Sequence, residues 1–400
     1  MTALKAICIL LVFCCHNCYG MFEELQASLL SALAYSDNLG RDGISASDGF
    51  LTAGIEDTAL NAEAKTTEFE DNGGRSTSSS QSNERMDITV KMPHVTVPKD
   101  DTYFCTKKLI PTGNYSTLYI TGYTPHATQS VAHHMLLYAC EIPGEENVQT
   151  WYCDGMAASS STSGSLPHGS TCNSAATLVW AWAKDAPAFK LPKGVGFPVG
   201  PSTKLRYLVL QVHVKSMAKA NAGGMENVWV TAHSTPVPQP KIAGIYISAS
   251  SYETIKPNKT RNWDIVCKYK DDIEMHPFAF RTHAHKLGVE VMGYRVRNEK
   301  WSLIGHKNPQ LPEAFYKVKN THLVIKKGDW LASRCVMHNF RNRVTMTGSK
   351  HTDEMCNFYI MYWTPRTKNT QSLATKECNN GYPWVHWRNY FTTLPKLPKY

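Results

Sequence analysis

The sequence predicts an all-β protein assembled as antiparallel β-sandwiches. Three features carry this reading. Short β-branched and aromatic runs alternate with Gly, Pro and Asn, long apolar patterns at helical spacing are missing, and a Pro-rich stretch divides the body near its middle. In chain order the clearest strands are Leu118–Ile120, Met135–Tyr138, Leu208–Val214, Ile242–Ile247, Val289–Val296 and Phe358–Tyr362. The divider, Thr235-Pro236-Val237-Pro238-Gln239-Pro240, is unfit for a central strand because Pro lacks the ladder donor. Two β domains are expected, over residues 86–238 and 239–385, with a C-terminal tail over 386–400.

The N-terminus reads differently. Lys5, an apolar run from Ala6 to Cys15 and the small-residue end at Gly20 fit a cleaved signal over residues 1–20, so the secretory pathway is expected, with the product secreted or held in a granule lumen. Residues 21–85 are rich in Ser, Asp, Gly and Glu and poor in large apolar groups, the composition of a flexible leader. Beyond the signal no stretch of about 18 apolar residues occurs, which argues against a membrane span. The chain has 400 residues, 42% of them hydrophobic, enough for a substantial core. Its net charge of +9 is scattered rather than striped, which argues against a nucleic-acid partner. Twelve cysteines occur; four fall within the signal, leaving Cys105, Cys140, Cys153, Cys172, Cys267, Cys335, Cys356 and Cys378. An even count in an exported chain implies disulfides, whose pairing spacing alone leaves open. Sequons at Asn114 and Asn258 fit the same route as glycosylation sites.

Sixteen histidines are present, and His94, His126, His168, His306, His322 and His386 lack metal-like spacing. Four groups differ. In a strand, His283 and His285 share a face and can bind one ion together. His133 and His134 are neighbours, which needs a bend or a strand end before both can ligate. His213 shares a face with Gln211, opposite the aliphatics of its strand. Met355, Asn357 and Tyr359 alternate with Cys356, Phe358 and Ile360, setting a thioether, an amide and a phenol on one face. A thioether is soft and favours copper over Zn or Mg. Arg281 falls on the face of His283 and His285, where its planar fork suits a carboxylate.

Taken in order, Asp101-Thr102-Tyr103-Phe104-Cys105, His133-His134-Met135-Leu136-Leu137, Leu191-Pro192-Lys193-Gly194-Val195-Gly196, Gln211-Val212-His213, the His283/His285 pair, Asn308-Pro309-Gln310-Leu311-Pro312 and Asp353-Glu354-Met355-Cys356-Asn357 resemble the peptidylglycine α-hydroxylating monooxygenase family. The resemblance spans about residues 86–385. It implies two jelly-roll-type sandwiches in tandem, with two copper ions facing one another across a solvent-filled cleft. His133, His134 and His213 match the electron-delivering copper site, and His283, His285 and Met355 match the site where O₂ and substrate react. Ascorbate is then the reductant, O₂ the cosubstrate, and a glycine-extended peptide the substrate, hydroxylated at the α-carbon of its C-terminal glycine. Arg281, Asn357 and Tyr359 match residues that hold the peptide end, and Gln211 helps to organise the first site. The implied disulfides are Cys105–Cys153, Cys140–Cys172, Cys267–Cys378 and Cys335–Cys356. A departure from the family is that no second domain follows Tyr400, so a stand-alone hydroxylase is expected, its product passing to a separate lyase, and a monomer is expected.

Rival readings are a tyramine/dopamine β-monooxygenase-like hydroxylase, which needs no carboxylate-gripping Arg281, and a secreted copper-binding protein without turnover. A three-histidine zinc hydrolase is a further rival and gives no role to Met355.

Overall fold

The computed structural model describes residues 85–153, 166–370, 373–381 and 384–398. The expected signal and all of the expected leader except Arg85 lie outside the described residues. The described residues belong to one compact unit. They form β-strands throughout, with one α-helical turn of three residues, Met217–Lys219, and a few other single turns.

Among the described residues the strands make three layers. The central layer is a ten-stranded sheet in which strands from both halves of the chain join. Val195–Val199 pairs in parallel with Lys241–Ser250, which continues antiparallel into Asn357–Pro365 and then His276–His283. A six-stranded sheet, with Tyr207–Val214 between Tyr103–Leu109 and Ala132–Cys140, packs on the first half. A four-stranded sheet of Lys259–Lys268, Trp330–Asn339, Gly288–Arg297 and Lys300–Lys307 packs on the second. All six strands predicted from sequence are present.

Period-two alternation explains why the second-half strands are buried on both faces. In Asn357–Pro365, Phe358, Ile360 and Tyr362 enter the core of the second half, whereas Tyr359 and Met361 join the core shared with the first. His276–His283 does the same, with Phe280 on one face and Ala279 on the other. Arg281 and His283 therefore turn toward the first half. The expected cysteine pairs are all formed: Cys105–Cys153, Cys140–Cys172, Cys267–Cys378 and Cys335–Cys356. Trp387 anchors the C-terminal segment, with its ring buried against Tyr294 and Trp301 and its Nε1 donating to Ser333 O at 3.2 Å. Asn114 and Asn258 are both exposed.

Two glycines hold the ligand-bearing strands at their correct depth. Gly293 and Gly305 face one another across neighbouring strands. A Cβ on Gly293 would overlap the ring of Phe358, and one on Gly305 the ring of Phe280. Those rings stack at 5.8 Å, one on each of the two strands that carry Arg281, His283, Asn357 and Tyr359. Gly293→Ala is accordingly expected to destabilise the protein by about 1–3 kcal/mol, the usual range for overpacking a core. A denaturant midpoint unchanged from wild type would show that the rings have room to move.

Candidate metal centre

Neighbouring residues on a regular strand point to opposite faces, so His133 and His134 converge only where the strand is irregular. The irregularity is a β-bulge. His213 pairs with His134 while the next residue, Val214, pairs with Ala132, which leaves His133 as the extra residue. The Nδ1 atoms of His133 and His134 lie 3.2 Å apart, and the ring of His213 stands 5.0 and 4.9 Å from their rings. One nitrogen from each of the three falls within 4.8 Å of the others.

Hydrogen bonding selects which nitrogen of His213 is free to ligate. Its Nε2 lies 3.0 Å from Asp101 Oδ1, whereas its Nδ1 is buried without a partner. The ring of Tyr103 stacks on His213 at 4.0 Å and fixes its plane. A buried nitrogen without a hydrogen-bond partner, facing two more imidazoles, fits a bound metal ion.

The second group assembles at a strand end. His283 closes its strand and His285 follows two residues later, with the rings 5.4 Å apart. His283 Nδ1 lies 2.6 Å from Glu313 Oε2, and His285 Nδ1 lies 3.1 Å from Asp353 O. Nε2 is thus the remaining ligand atom of each, and that of His285 is buried without a partner. Met355 is also buried and lines a cavity with His283, Arg281 and Asn357. The Glu354 carboxylate clamps the two ligand segments together, accepting from the backbone N–H groups of His285, Leu287 (2.8 Å) and Met355 (2.9 Å). Burial pushes this carboxyl up to about 7 despite those donors.

Electrostatics keep the imidazoles in the form that binds metal. Burial, reinforced by the surrounding histidines, lowers His133 to about 2 and His285 to about 3, and also lowers His134 and His213. A ligand must be the neutral imidazole, so His133, His134, His213 and His285 stand ready at neutral pH. Imidazoles with one thioether make a donor set suited to copper.

The resemblance implies a solvent-filled cleft between the two groups, and here the structure differs. His133 and His285 stand 5.4 Å apart by ring centroid, His134 and His283 6.0 Å. The cavity between the groups is about 20 Å³, room for about one water. Bonds across the halves account for the closure. Tyr103 Oη donates to Ser349 O at 3.2 Å, and Asp101 bridges His213 to His351, on the segment leading into Met355.

The other predicted residues are also brought here. Asn357 and Tyr359 flank Arg281, with Asn357 Nδ2 at 3.5 Å from Tyr359 Oη and the Arg281 guanidinium 4.9 Å from the Tyr359 ring centroid. Gln211 is buried rather than at the surface and donates to Thr171 Oγ1 at 3.1 Å. Arg281 is not a free fork: its Nε donates to Glu313 O at 3.1 Å and its Nη2 to Glu313 Oε2 at 2.7 Å. His94, His126, His168 and His306 find partners elsewhere, in Glu226, Trp229, Tyr152 and Glu290.

Comparison with known proteins matches residues 88–221 to the N-terminal domain of copper type II ascorbate-dependent monooxygenases and residues 241–391 to their C-terminal domain. The chain belongs to this family. Within it the chain is 39% identical over 295 residues to peptidyl-glycine alpha-amidating monooxygenase B of Xenopus laevis, covering 73% of this chain and 32% of that protein. It is 41% identical over 278 residues to peptidylglycine alpha-amidating monooxygenase of Rattus norvegicus, covering 69% and 26%. Human dopamine beta-hydroxylase is more distant, at 26% over 326 residues, covering 76% and 50%. The chain thus spans about a quarter to a third of the length of the amidating relatives. Membership makes copper, ascorbate and O₂ the cofactor, reductant and cosubstrate of this oxidoreductase.

Sequence reasoning gave no role to Asp101, Tyr103, Lys184, Glu313, His351 or Glu354. Glu354 and Asp101 sit inside the diagnostic motifs, and that proximity was the only available signal. Glu354→Gln places an amide donor against backbone donors. It is expected to weaken metal binding at the His283/His285/Met355 group by about 10–100-fold, the usual cost of losing such support, and to spare the three-histidine group. Chelator competition on the purified chain reads both affinities, and equal loss at both would refute a local clamp.

Proposed function

We propose that the chain hydroxylates the α-carbon of C-terminal glycine in peptides, the first step of peptide amidation. The observation that carries this reading is Arg281, buried beside His283 and flanked by Asn357 and Tyr359, where a peptide carboxylate can be held next to the donors of the second group once the cavity, about 20 Å³ when closed, widens to admit it. In this reading His133, His134 and His213 hold one copper, and His283, His285 and Met355 hold the other. Copper at these two donor sets supplies the one-electron redox chemistry by which two ascorbate electrons reach O₂, giving one hydroxylated carbon and one water.

The chain's own groups do the rest. Arg281 anchors the carboxylate, and Asn357 and Tyr359 orient it so that the glycine methylene lies toward Met355. Gln211 and Tyr103 line the space between the two groups and keep bulk water out. The product, a hydroxyglycine, passes to a lyase that releases the amide. The signal-like N-terminus supports a secretory-pathway location, and the exposed Asn114 and Asn258 suit glycosylation. Tyramine hydroxylation has less support, because a phenethylamine offers no carboxylate to a buried guanidinium.

Copper-loaded protein supplied with ascorbate, O₂ and an acylated peptide ending in glycine should yield a product one oxygen heavier, with tyramine unchanged. Turnover of tyramine but not of the peptide would reverse the assignment. Arg281→Ala should reduce kcat/KM by about 10²–10³-fold, since it removes the cation that holds the substrate carboxylate.

A further inference from the structure

The pocket beside the second metal group contains an uneven set of charges. Arg281 lines it, and behind Arg281 the Glu313 carboxylate, with 1% of its side chain exposed, has two cations converging on it. Arg281 Nη2 lies 2.7 Å from Oε2, and Lys184 Nζ lies 3.1 Å from Oε1. Lys184 comes from the other half of the chain, just past the strand Thr177–Ala183. It is held in place on several sides. Glu313 N donates to Ala183 O at 3.2 Å, and Lys184 Nζ donates to Pro309 O. Lys184 and Asp185 both adopt left-handed backbone, at φ 54° and 55°, which costs energy for residues other than Gly. The third group on Glu313 is His283, whose Nδ1 lies 2.6 Å from Oε2. Burial opposes ionisation of Glu313, but His283, Arg281 and Lys184 outweigh it and hold this carboxyl well below the usual range.

Lys184 and Arg281 against Glu313 leave a formal excess of +1, with Arg281 and Glu313 each 1% exposed and Lys184 at the margin, 22% exposed. Burying such an excess is costly unless an anion completes it. We propose that Lys184 and Glu313 set the charge of the substrate pocket, so that the triad Lys184–Glu313–Arg281 is one negative charge short and selects a ligand ending in a carboxylate over the same ligand ending in a carboxamide. Lys184 then acts as a positioning and specificity residue: its charge offsets Glu313 and releases Arg281 for the substrate. Without it, Glu313 and Arg281 would neutralise each other. Any positive charge of a bound ion adds to the excess and does not alter its sign. This inference rests on the glycine-peptide reading.

The test compares two probes, an acetylated peptide ending in glycine and its C-terminal amide. Binding of each to the copper-loaded, oxygen-free chain is measured by calorimetry, and the ratio of affinities isolates the charge. Wild type should prefer the acid. Lys184→Met should reduce that preference by about tenfold or more, whereas Lys184→Arg should keep it, with copper content confirming that both are folded. The double variant Lys184→Met/Glu313→Gln restores the excess of +1 and should recover most of the preference. An acid-to-amide ratio unmoved by Lys184→Met, or a double variant no better than the single one, would overturn the charge balance. A wild-type chain without preference for the acid would bring down the peptidylglycine reading itself, and that result needs no variant.

Discussion

The site depends on alternation along two adjacent strands, His276–His283 and Asn357–Pro365. Their even-numbered side chains, Phe280, Phe358 and Ile360, are sunk in the second core. Their odd-numbered ones, Arg281, His283, Asn357 and Tyr359, must then face the first half. A slip of one residue in either strand would exchange the two sets, placing a guanidinium in a hydrocarbon core and phenyl rings at the metal. The stacked phenylalanines on Gly293 and Gly305 oppose such a slip, so hydrophobic packing on one face sets the chemistry on the other.

On the polar face, each buried charged group is fixed by at least one partner. Asp101 orients His213, Glu313 orients His283 and Arg281, and Glu354 gathers three backbone donors around His285 and Met355. Two imidazole nitrogens, His213 Nδ1 and His285 Nε2, are left buried without a hydrogen-bond partner, as nitrogens that ligate a metal would be. Supporting residues of this kind fix the tautomer and ring plane of a ligand before any ion arrives.

Much of this was legible in the sequence because it depends on residue type and a period of two. The strands could be read from β-branched runs, and the convergence of histidines with a methionine from their chemistry. The rest depends on register and on distant pairs. Nothing local to His133-His134 announces that Val214 will pair with Ala132, yet that skip is what turns the two imidazoles to one point. Glu313 lies 32 residues from Arg281, and Asp101 lies 250 from His351. Lys184 resembles any surface lysine until the fold sets it beside a carboxylate in the other half. The open cleft implied by the family resemblance gave way to a closed one for the same reason: the bonds that close it join segments far apart in the chain.

The bridge between Cys335 and Cys356 closes a loop of 21 residues that contains His351, Asp353, Glu354 and Met355. Cys356 stands directly between Met355 and Asn357. Without the bridge the segment before Asn357 loses one of its two anchors, so ordering His351 to Met355 costs more chain entropy. Under the proposed function, the affinity of the second group for copper is coupled to the oxidation of this bridge as well as to the supply of the ion.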